Sequence, residues 1–408
     1  MNYKNSLEYL FSLTQSGIKL GLENTKAILT HFDNPQLKVP TIHIAGTNGK
    51  GTTCAFLENA FLSEGKSVAV YSSPHIEYFN ERLRINKTNI DDASLISAFE
   101  KIELARQQIS LSYYEYTTLA ALLVLMSVKP DVIILEVGLG GRLDATNIID
   151  ADIAVITTID LDHQAFLGND RETIGYEKAG IMRANRLSII GDYNAPLSVI
   201  EHGHKIGSRM LIRERDYLVN SQSLSWQWQF NAQVLDNLEL PHIPLDNVAT
   251  ALMVLSALKF NLTSSIVNDL IAETKVPGRT EMFRRHCDIM LDVGHNPQAT
   301  RYLAQAIKKR GYKSVHAVVG MLVDKDISSS LAAMQDVVEQ WYFTGLPVAR
   351  AANAVDIADK AKSFTTSFNC FDNAPQAFTM ACENAQATDL VVVFGSFFTV
   401  AEVRRLLI

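Results

Sequence analysis

The sequence predicts an α/β protein of two domains, each built round a parallel sheet with helices on both faces. Short apolar runs without polar alternation recur along the chain, as strands buried on both faces require. Helix-period stretches separate them. The alternation breaks at Val276-Pro277-Gly278-Arg279 and then restarts. At 408 residues the chain is also too long for one ordinary core. We therefore expect an N-terminal domain over 1–277 and a smaller C-terminal domain over 278–408.

Thr41–Ala45 reads as the first clear strand, and a glycine-rich turn leads from Gly46 to a helix over Thr52–Glu64. Val68–Tyr71 is the next strand. Asp91–Ala105 has helical periodicity, with Asp91 or Asp92 as its cap. Glu115–Met126 is a buried helix whose apolar run, Leu119–Met126, is too short to span a bilayer. Val132–Val137 and Asp152–Thr158 are further strands. Glu177-Lys178-Ala179-Gly180 closes a short helix, where an exposed lysine would be favoured by the helix dipole. His202 and His204 flank Gly203 in what reads as a surface turn. Over Asp216–Pro244 the pattern alternates weakly, which suggests an antiparallel hairpin or meander with Trp226 and Trp228 packed or at the surface. Asp246–Lys259 is helical, with Asp246 at the cap position. In the second domain, Ile289–Val293, Ser314–Gly320, Gln340–Thr344 and Leu390–Phe394 read as strands. Gln298–Lys309 and the stretch closing at Ile408 read as helices.

Composition narrows the function. The chain is 47% hydrophobic and 20% charged with a formal net charge of -7, and it carries no run of basic residues, so a nucleic-acid partner is not expected. An anionic ligand would need a local positive site rather than a global field. Cys54, Cys287, Cys370 and Cys382 form no CxxC pair, which argues against a disulfide framework or zinc knuckle and for reduced thiols in a cytoplasm. Cys54 is expected to pack against the sheet. Met1–Leu22 lacks the basic and apolar segments of a secretory leader.

The strongest chemical signal is Gly46-Thr47-Asn48-Gly49-Lys50-Gly51-Thr52-Thr53, lying between a strand and a helix. Glycines let successive N–H groups turn toward one anion, the helix start adds positive potential, and Lys50 can reach terminal phosphates. Thr52 offers a hydroxyl to a metal or phosphate. The run departs from a strict Walker A loop, with Ile44 where glycine is required and Gly51 directly after the lysine. Three further stretches follow expected parallel strands: Tyr71-Ser72-Ser73-Pro74-His75, Glu136 to Asn147, and Asp160-Leu161-Asp162-His163. In open α/β sheets ligands gather beyond the carboxyl ends of strands, so Ser73, Glu136 and His163 are placed to converge on the phosphate loop. A hydroxyl, a carboxylate and an imidazole can share Mg²⁺ with phosphate and water. Singly, each has a plain structural alternative: a turn serine, a paired glutamate, a core histidine.

Taken in order, these motifs, with Pro277-Gly278-Arg279, Asp292-Val293-Gly294-His295-Asn296-Pro297 and Met321 to Asp326, resemble the Mur ligase superfamily. They are most similar to its folylpolyglutamate synthase family, in the bifunctional dihydrofolate synthase/folylpolyglutamate synthase branch, and the resemblance spans almost the whole chain. It implies a P-loop-like, parallel-sheet ATPase domain followed by a smaller Rossmann-like α/β domain, with the active site in the cleft between. It implies an ATP-dependent ligase that joins L-glutamate to dihydropteroate and to reduced folates through an acyl-phosphate. By that resemblance Gly49, Lys50, Gly51 and Thr52 cradle ATP, with Asn247, Arg279 and Asp292 also at the nucleotide. Ser73, Glu136 and His163 hold Mg²⁺, and a second metal site is expected. Lys178 matches the lysine that the family carbamoylates, which replaces the exposed helix-end reading. Lys50, Lys178 and His163 are the expected catalytic residues. Lys19, Leu20, Gly21, Leu22, Ser112, Tyr113, Tyr114, Glu115, Leu143, Asp144 and Ala145 would meet the pteroate. The expected protein is a cytoplasmic monomer with small-molecule substrates and no membrane or nucleic-acid partner.

The sequence departs from this pattern at Gly294, where relatives often have alanine, and at Phe398, where they often have histidine. A cell-wall Mur enzyme would usually read Gly-Thr-Asn-Gly-Lys-Thr, and the extra Gly51 favours the folate branch. A regulatory nucleotide-binding module would need neither Lys178 in its Glu-Lys-Ala-Gly setting nor a second domain carrying Asp292. A binding protein that had lost catalysis would lack some of the metal or phosphate residues, and none is missing.

Overall fold

The computed structural model describes residues 3–13, 21–32 and 37–408. Lys19 and Leu20 lie outside the described residues. The chain divides into two compact units, Met1–Thr274 and Lys275–Ile408. The first unit thus ends just before the Pro277-Gly278 pair.

The first unit holds a sheet of eight strands: β1 (Thr41–Ala45), β2 (Val68–Tyr71), β3 (Leu83–Ile85), β4 (Thr88–Asn89), β5 (Val132–Glu136), β6 (Ile153–Ile156), β7 (Leu187–Ile190) and β8 (Arg209–Ile212). Their spatial order is β4-β3-β2-β5-β1-β6-β7-β8. From β2 to β8 every pairing is parallel. At the other edge β3 and β4 turn antiparallel. They are too short for a periodicity of their own, and the sequence did not predict them.

β1, β2, β5 and β6 are buried at every position, which is why their sequences do not alternate. The helices Asp92–Arg106 and Tyr113–Val128 cover one face, packing Phe99, Ile102, Leu119 and Leu122 against Tyr71 and Leu135. The helices Arg171–Ala179 and Leu197–Ile206 continue that layer along the same face, where Ile174 and Val199 meet Ala154, Ile156 and Ile190, and the helices Lys50–Ser63 and Leu245–Ala257 pack on the opposite face. Each such side chain contributes about 1.5–3 kcal/mol on burial. Truncating Leu122 to alanine is expected to cost about 2–5 kcal/mol. Asp91 caps the first of these helices by accepting the Ser94 N–H, as its sequence position suggested.

Two sequence expectations are corrected here. His202 and His204 belong to the helix Leu197–Ile206, not to a turn. Gly203 is no turn residue: it is buried, and a Cβ there would collide with the Met210 sulfur. Asp246 does not cap the helix Leu245–Ala257, since Pro244 occupies that position; Asp246 lies in the first turn and pairs with Arg213 at 2.7 Å. The meander expectation holds: β9 (Tyr217–Ser221), β10 (Ser225–Phe230) and β11 (Gln233–Glu239) are antiparallel neighbours. Trp226 and Trp228 are both buried on it.

The second unit holds β12 (Glu281–Arg284), β13 (Asp288–Asp292), β14 (Val315–Val319), β15 (Gln340–Thr344), β16 (Phe368–Phe371) and β17 (Leu390–Phe394). Their order is β12-β13-β17-β14-β15-β16, parallel throughout except for β12. No helix among the described residues is long and apolar enough to cross a membrane.

Candidate active site

In the first unit the chemistry gathers at the carboxyl ends of four adjacent strands. β1 runs into the glycine-rich loop, and the helix Lys50–Ser63 starts inside it. The helix therefore begins two residues before the expected Thr52, so Lys50, Gly51 and Thr52 form its first turn. Gly49, just before it, has φ 90°, a left-handed conformation open to glycine, and a Cβ there would strike the Asn247 amide. Asn247 is buried and donates to the Thr52 hydroxyl at 2.7 Å, which in turn donates to the Gly49 carbonyl at 3.0 Å. Asn247 thus fixes the loop from a helix nearly two hundred residues away.

β6 holds the loop from the other side. The predicted strand ends early, at Ile156, because Thr157 and Thr158 leave the sheet to bind the loop. Their hydroxyls donate to the Asn48 carbonyl at 2.7 and 3.2 Å, and the Thr47 N–H donates to the Thr158 carbonyl at 2.6 Å. The Thr47 hydroxyl donates to the Asp160 carbonyl at 2.9 Å. Lys50 folds back, its ammonium donating to the carbonyls of Gly46 and Thr47 at 2.9 and 3.2 Å. A phosphate would offer that ammonium stronger, charged acceptors in their place.

Glu136 ends β5 and is buried; its Oε2 lies 3.4 Å from the Ser73 N–H, and it flanks Gly51. Ser73 precedes a cis bond to Pro74 just beyond β2. His163 starts the short helix Gln164–Leu167 with φ 50°, its Nε2 3.9 Å from the Asp162 carboxylate. No cluster of three His, Cys, Asp or Glu side chains exists among the described residues. That donor set still fits Mg²⁺, which takes one or two carboxylates and fills its shell with water and phosphate oxygens.

Lys178 ends the helix Arg171–Ala179, yet it is only 3% exposed. Gly141 explains this, since its Cα lies against the carbonyls of Glu177 and Lys178 so closely that a Cβ would come within 2.8 and 2.9 Å of them. The Arg142 N–H donates to the Glu177 carbonyl at 2.7 Å, and Arg142 pairs with the Glu177 carboxylate at 2.8 Å. The Lys178 ammonium has no hydrogen bond or ion pair among the described residues. Burial, reinforced by the nearby Lys50 charge, holds its pKa down at about 7, while Asp162 and Asp144 pull it slightly the other way. The chain thus keeps a lysine that is largely neutral at physiological pH beside its phosphate loop.

Asp144 is buried and accepts from the Leu139 N–H at 2.8 Å, the Thr146 N–H at 3.0 Å and the Thr146 hydroxyl at 2.6 Å. Burial outweighs these donors and pushes its carboxyl upward. His43 on β1, also buried, lies 2.6 Å from that same Thr146 hydroxyl. Burial, then the Arg183 charge, holds His43 near pKa 3, so it is neutral; because the Thr146 hydroxyl donates to Asp144, that hydroxyl is left to accept from the His43 Nε2. Tyr114 is half-buried, with its phenol directly beneath Gly138, leaving no room for a Cβ there. Leu143 and Ala145 flank Asp144, half-buried and buried respectively. Gly21 and Leu22 are half-buried ahead of the helix Glu23–Leu29.

Ser112 and Glu115, expected at the substrate, form a reciprocal cap. The Glu115 carboxylate accepts the Ser112 N–H and hydroxyl at 2.8 and 2.7 Å, and Ser112 accepts the Glu115 N–H at 3.3 Å. Thr25 adds a third donor to that carboxylate at 3.3 Å. Their side chains fix the start of the helix Tyr113–Val128, leaving Tyr113 and Tyr114 as the ones presented from that turn.

In the second unit Asp292 ends β13. It is buried and accepts the N–H groups of Thr280 and Gly294 at 2.9 and 2.8 Å. Burial raises its pKa against the pull of Arg279, whose guanidinium lies 5.5 Å over the Phe397 ring. Asn296 caps the next helix through the Ala299 N–H at 3.0 Å. Gly294 matters here, because a Cβ on it would come within 2.8 Å of Asp292 Oδ1. Phe398 is 43% exposed at the start of the helix Phe397–Arg404.

Residues 44–258 match the model of the Mur ligase middle domain, and residues 278–397 match that of the Mur ligase glutamate ligase domain. The chain is 40% identical to the dihydrofolate synthase/folylpolyglutamate synthase of Escherichia coli over 98% of its own length and 94% of that protein's. The chain belongs to the Mur ligase family, in its dihydrofolate synthase/folylpolyglutamate synthase branch. The Haemophilus influenzae member is 37% identical over 97% of this chain and 95% of its own. Among solved structures, E. coli FolC in complex with DHPP and ADP superposes with a TM-score of 0.95 at 39% identity, covering 100% of this chain and 97% of that one. The Yersinia pestis bifunctional enzyme complexed with AMPPNP and Mn gives 0.92 at 40% identity, covering 100% and 98%.

The sequence had pointed to the loop and to Ser73, Glu136 and His163. It had not pointed to Thr157, Thr158 or His43. Two hydroxyls directly after an apolar strand could have been read as loop anchors; His43, an isolated polar residue inside a buried strand, was a signal left unused.

Proposed function

We propose that this protein is an ATP-dependent ligase that adds L-glutamate to dihydropteroate, giving dihydrofolate, and to reduced folates, through an acyl-phosphate. The observation that carries this reading is the buried, unpaired Lys178 placed beside a clamped phosphate loop, in a chain 40% identical to a dihydrofolate synthase/folylpolyglutamate synthase. A nucleotide hydrolase needs the loop; it has no evident need for a neutral lysine kept at the cost of stability.

The residues divide the work as follows. Gly49, Gly51 and Thr52 present N–H and hydroxyl donors to the ATP phosphates, and Lys50 leaves its two carbonyls to neutralise them. Ser73, Glu136 and His163 hold Mg²⁺, which when bound offsets phosphate charge. An oxygen of the acceptor carboxylate attacks the γ-phosphorus, the bond to ADP breaks, and an acyl-phosphate forms. Positioning and charge neutralisation are most of what that step requires. The glutamate amine then attacks the acyl carbon and loses a proton, and phosphate leaves with one of the original carboxylate oxygens. Lys178 is carbamoylated: only a neutral amine adds to CO₂, and the carbamate replaces a repelled cation with an anion facing Lys50. Asn247 orders the loop. Arg279 and Asp292 of the glutamate ligase domain serve the nucleotide. Tyr113, Tyr114, Leu143, Asp144 and Ala145, with Lys19, Leu20, Gly21 and Leu22, serve the pteroate, and Ser112 and Glu115 position the turn that carries the tyrosines. A cytoplasmic site agrees with four free cysteines, of which three are buried.

Phosphate release from ATP, with glutamate, Mg²⁺ and bicarbonate present, tests the reading. Release that depends on dihydropteroate and, separately, on tetrahydrofolate is expected. Release indifferent to both acceptors would return the chain to a simple nucleotide hydrolase.

A further inference from the structure

Arg82 stands out among the buried charges. It is only 8% exposed, and it lies beyond β2 with its carbonyl accepting the Ser72 N–H at 2.9 Å. Its guanidinium carbon lies 5.2 Å over the Tyr113 ring and 5.7 Å over Phe79, and its Nε donates to His75 Nδ1 at 2.8 Å. It makes no ion pair among the described residues. The carboxylates nearby are committed elsewhere. Glu81 takes the N–H groups of Ile76, Glu77 and Tyr78 at 2.7 to 3.0 Å. Glu58 pairs with Arg84 at 3.0 Å, so the next arginine along the strand has the partner that Arg82 lacks. Aromatic faces compensate a buried cation only in part, and its outer N–H groups remain a fork shaped for a carboxylate.

The sheet fixes where that fork lies. Ser72 follows β2 and faces Arg82, which leads into β3; Glu136 ends β5 and the phosphate loop leaves β1, in the order β3-β2-β5-β1. Three strand spacings, about 14 Å, separate the strand of Arg82 from the strand of the loop, a gap that the length of the arginine side chain narrows. A carboxylate receiving a phosphoryl group must be at the loop, so Arg82 is out of position for the reacting one. A second carboxylate on the same acceptor, a few bonds away, can reach it. Dihydropteroate carries one carboxylate; a glutamylated folate carries two on its glutamyl group.

We propose that Arg82 is a specificity residue that receives the non-reacting α-carboxylate of the glutamyl acceptor, with Tyr113 and His75 orienting its guanidinium. The inference rests on the ligase reading above and deepens it. It assigns to one side chain the discrimination between the two acceptors. Addition to a folate uses the Arg82 contact, and addition to dihydropteroate does not.

The test is the ratio of kcat/KM for tetrahydrofolate to kcat/KM for dihydropteroate, measured in the wild type and in Arg82→Met. The charge-assisted contact should lower that ratio at least tenfold in the variant. An unchanged ratio, whatever happens to stability, would overturn the proposal, because a merely structural arginine serves both acceptors alike. A second measurement needs no variant. Tetrahydrofolate with its α-carboxylate converted to the amide should be at least tenfold poorer for the wild type, and equal rates for acid and amide would also overturn the proposal. Absence of activity with either acceptor in the wild type would instead refute the ligase reading itself.

Discussion

Replacing Lys178 by methionine should make the protein more stable while abolishing its activity. At pH 7.5 an ordinary lysine in the unfolded chain is charged, whereas the folded Lys178, held near pKa 7 by burial and by Lys50, is mostly neutral. Giving up that proton against a reference pKa of 10.5 costs the folded state about 4 kcal/mol at pH 7.5, a cost that methionine removes. For a unit of this size that corresponds to roughly 8 °C in Tm. The sign with pH is fixed by linkage. Between pH 7 and 10.5 the unfolded wild type binds more protons than the folded protein, so wild-type stability rises with pH across that window. The variant has no such slope, and its advantage should shrink toward zero near pH 10.5. Chemical denaturation in CO₂-free buffer at several pH values measures this directly. Adding bicarbonate should narrow the gap at pH 7.5 by stabilising the carbamoylated wild type. A methionine variant no more stable than wild type, or an advantage independent of pH, would refute the picture of an unpaired, neutral Lys178.

Other perturbations probe the rest of the site. Gly49→Ala forces a left-handed φ of 90° on a side chain that also strikes Asn247, so nucleotide binding should fall below detection by calorimetry while the far-UV spectrum stays native. Glu136→Gln removes a buried carboxylate beside Ser73, and the Mg²⁺ concentration for half-maximal activity should rise roughly tenfold or more in a metal titration. Gly294→Ala places a Cβ within 2.8 Å of Asp292 Oδ1 and should break the 2.8 Å bond from the Gly294 N–H; the KM for ATP should rise several-fold, with a stability loss of about 1 kcal/mol by urea denaturation.

Much of the fold was legible because its central strands are buried on both faces, and β1, β2, β15 and β17 fall on the residues expected from their apolar runs. The phosphate loop was legible for a local reason: glycine, lysine and threonine carry their chemistry wherever a strand meets a helix. What escaped depends on contacts distant in sequence. Lys178 reads as an exposed helix-end lysine until Gly141 lets the Gly140–Arg142 turn close over it. Gly203 reads as a turn because the sequence gives no sign of Met210 pressing on it. Arg82 and Arg84 look alike in the sequence, and their difference comes from Glu58, which pairs with only one of them.

The central claim is that the acceptor carboxylate is activated by phosphorylation within this site. Dihydropteroate labelled with oxygen-18 in its carboxylate, turned over with ATP and glutamate, tests it most directly. The account predicts that the inorganic phosphate released carries one labelled oxygen per turnover, because the acyl-phosphate gives up that oxygen when the amine attacks. Unlabelled phosphate alongside newly formed dihydrofolate would contradict it, since the amide would then have formed without phosphorylation of the carboxylate.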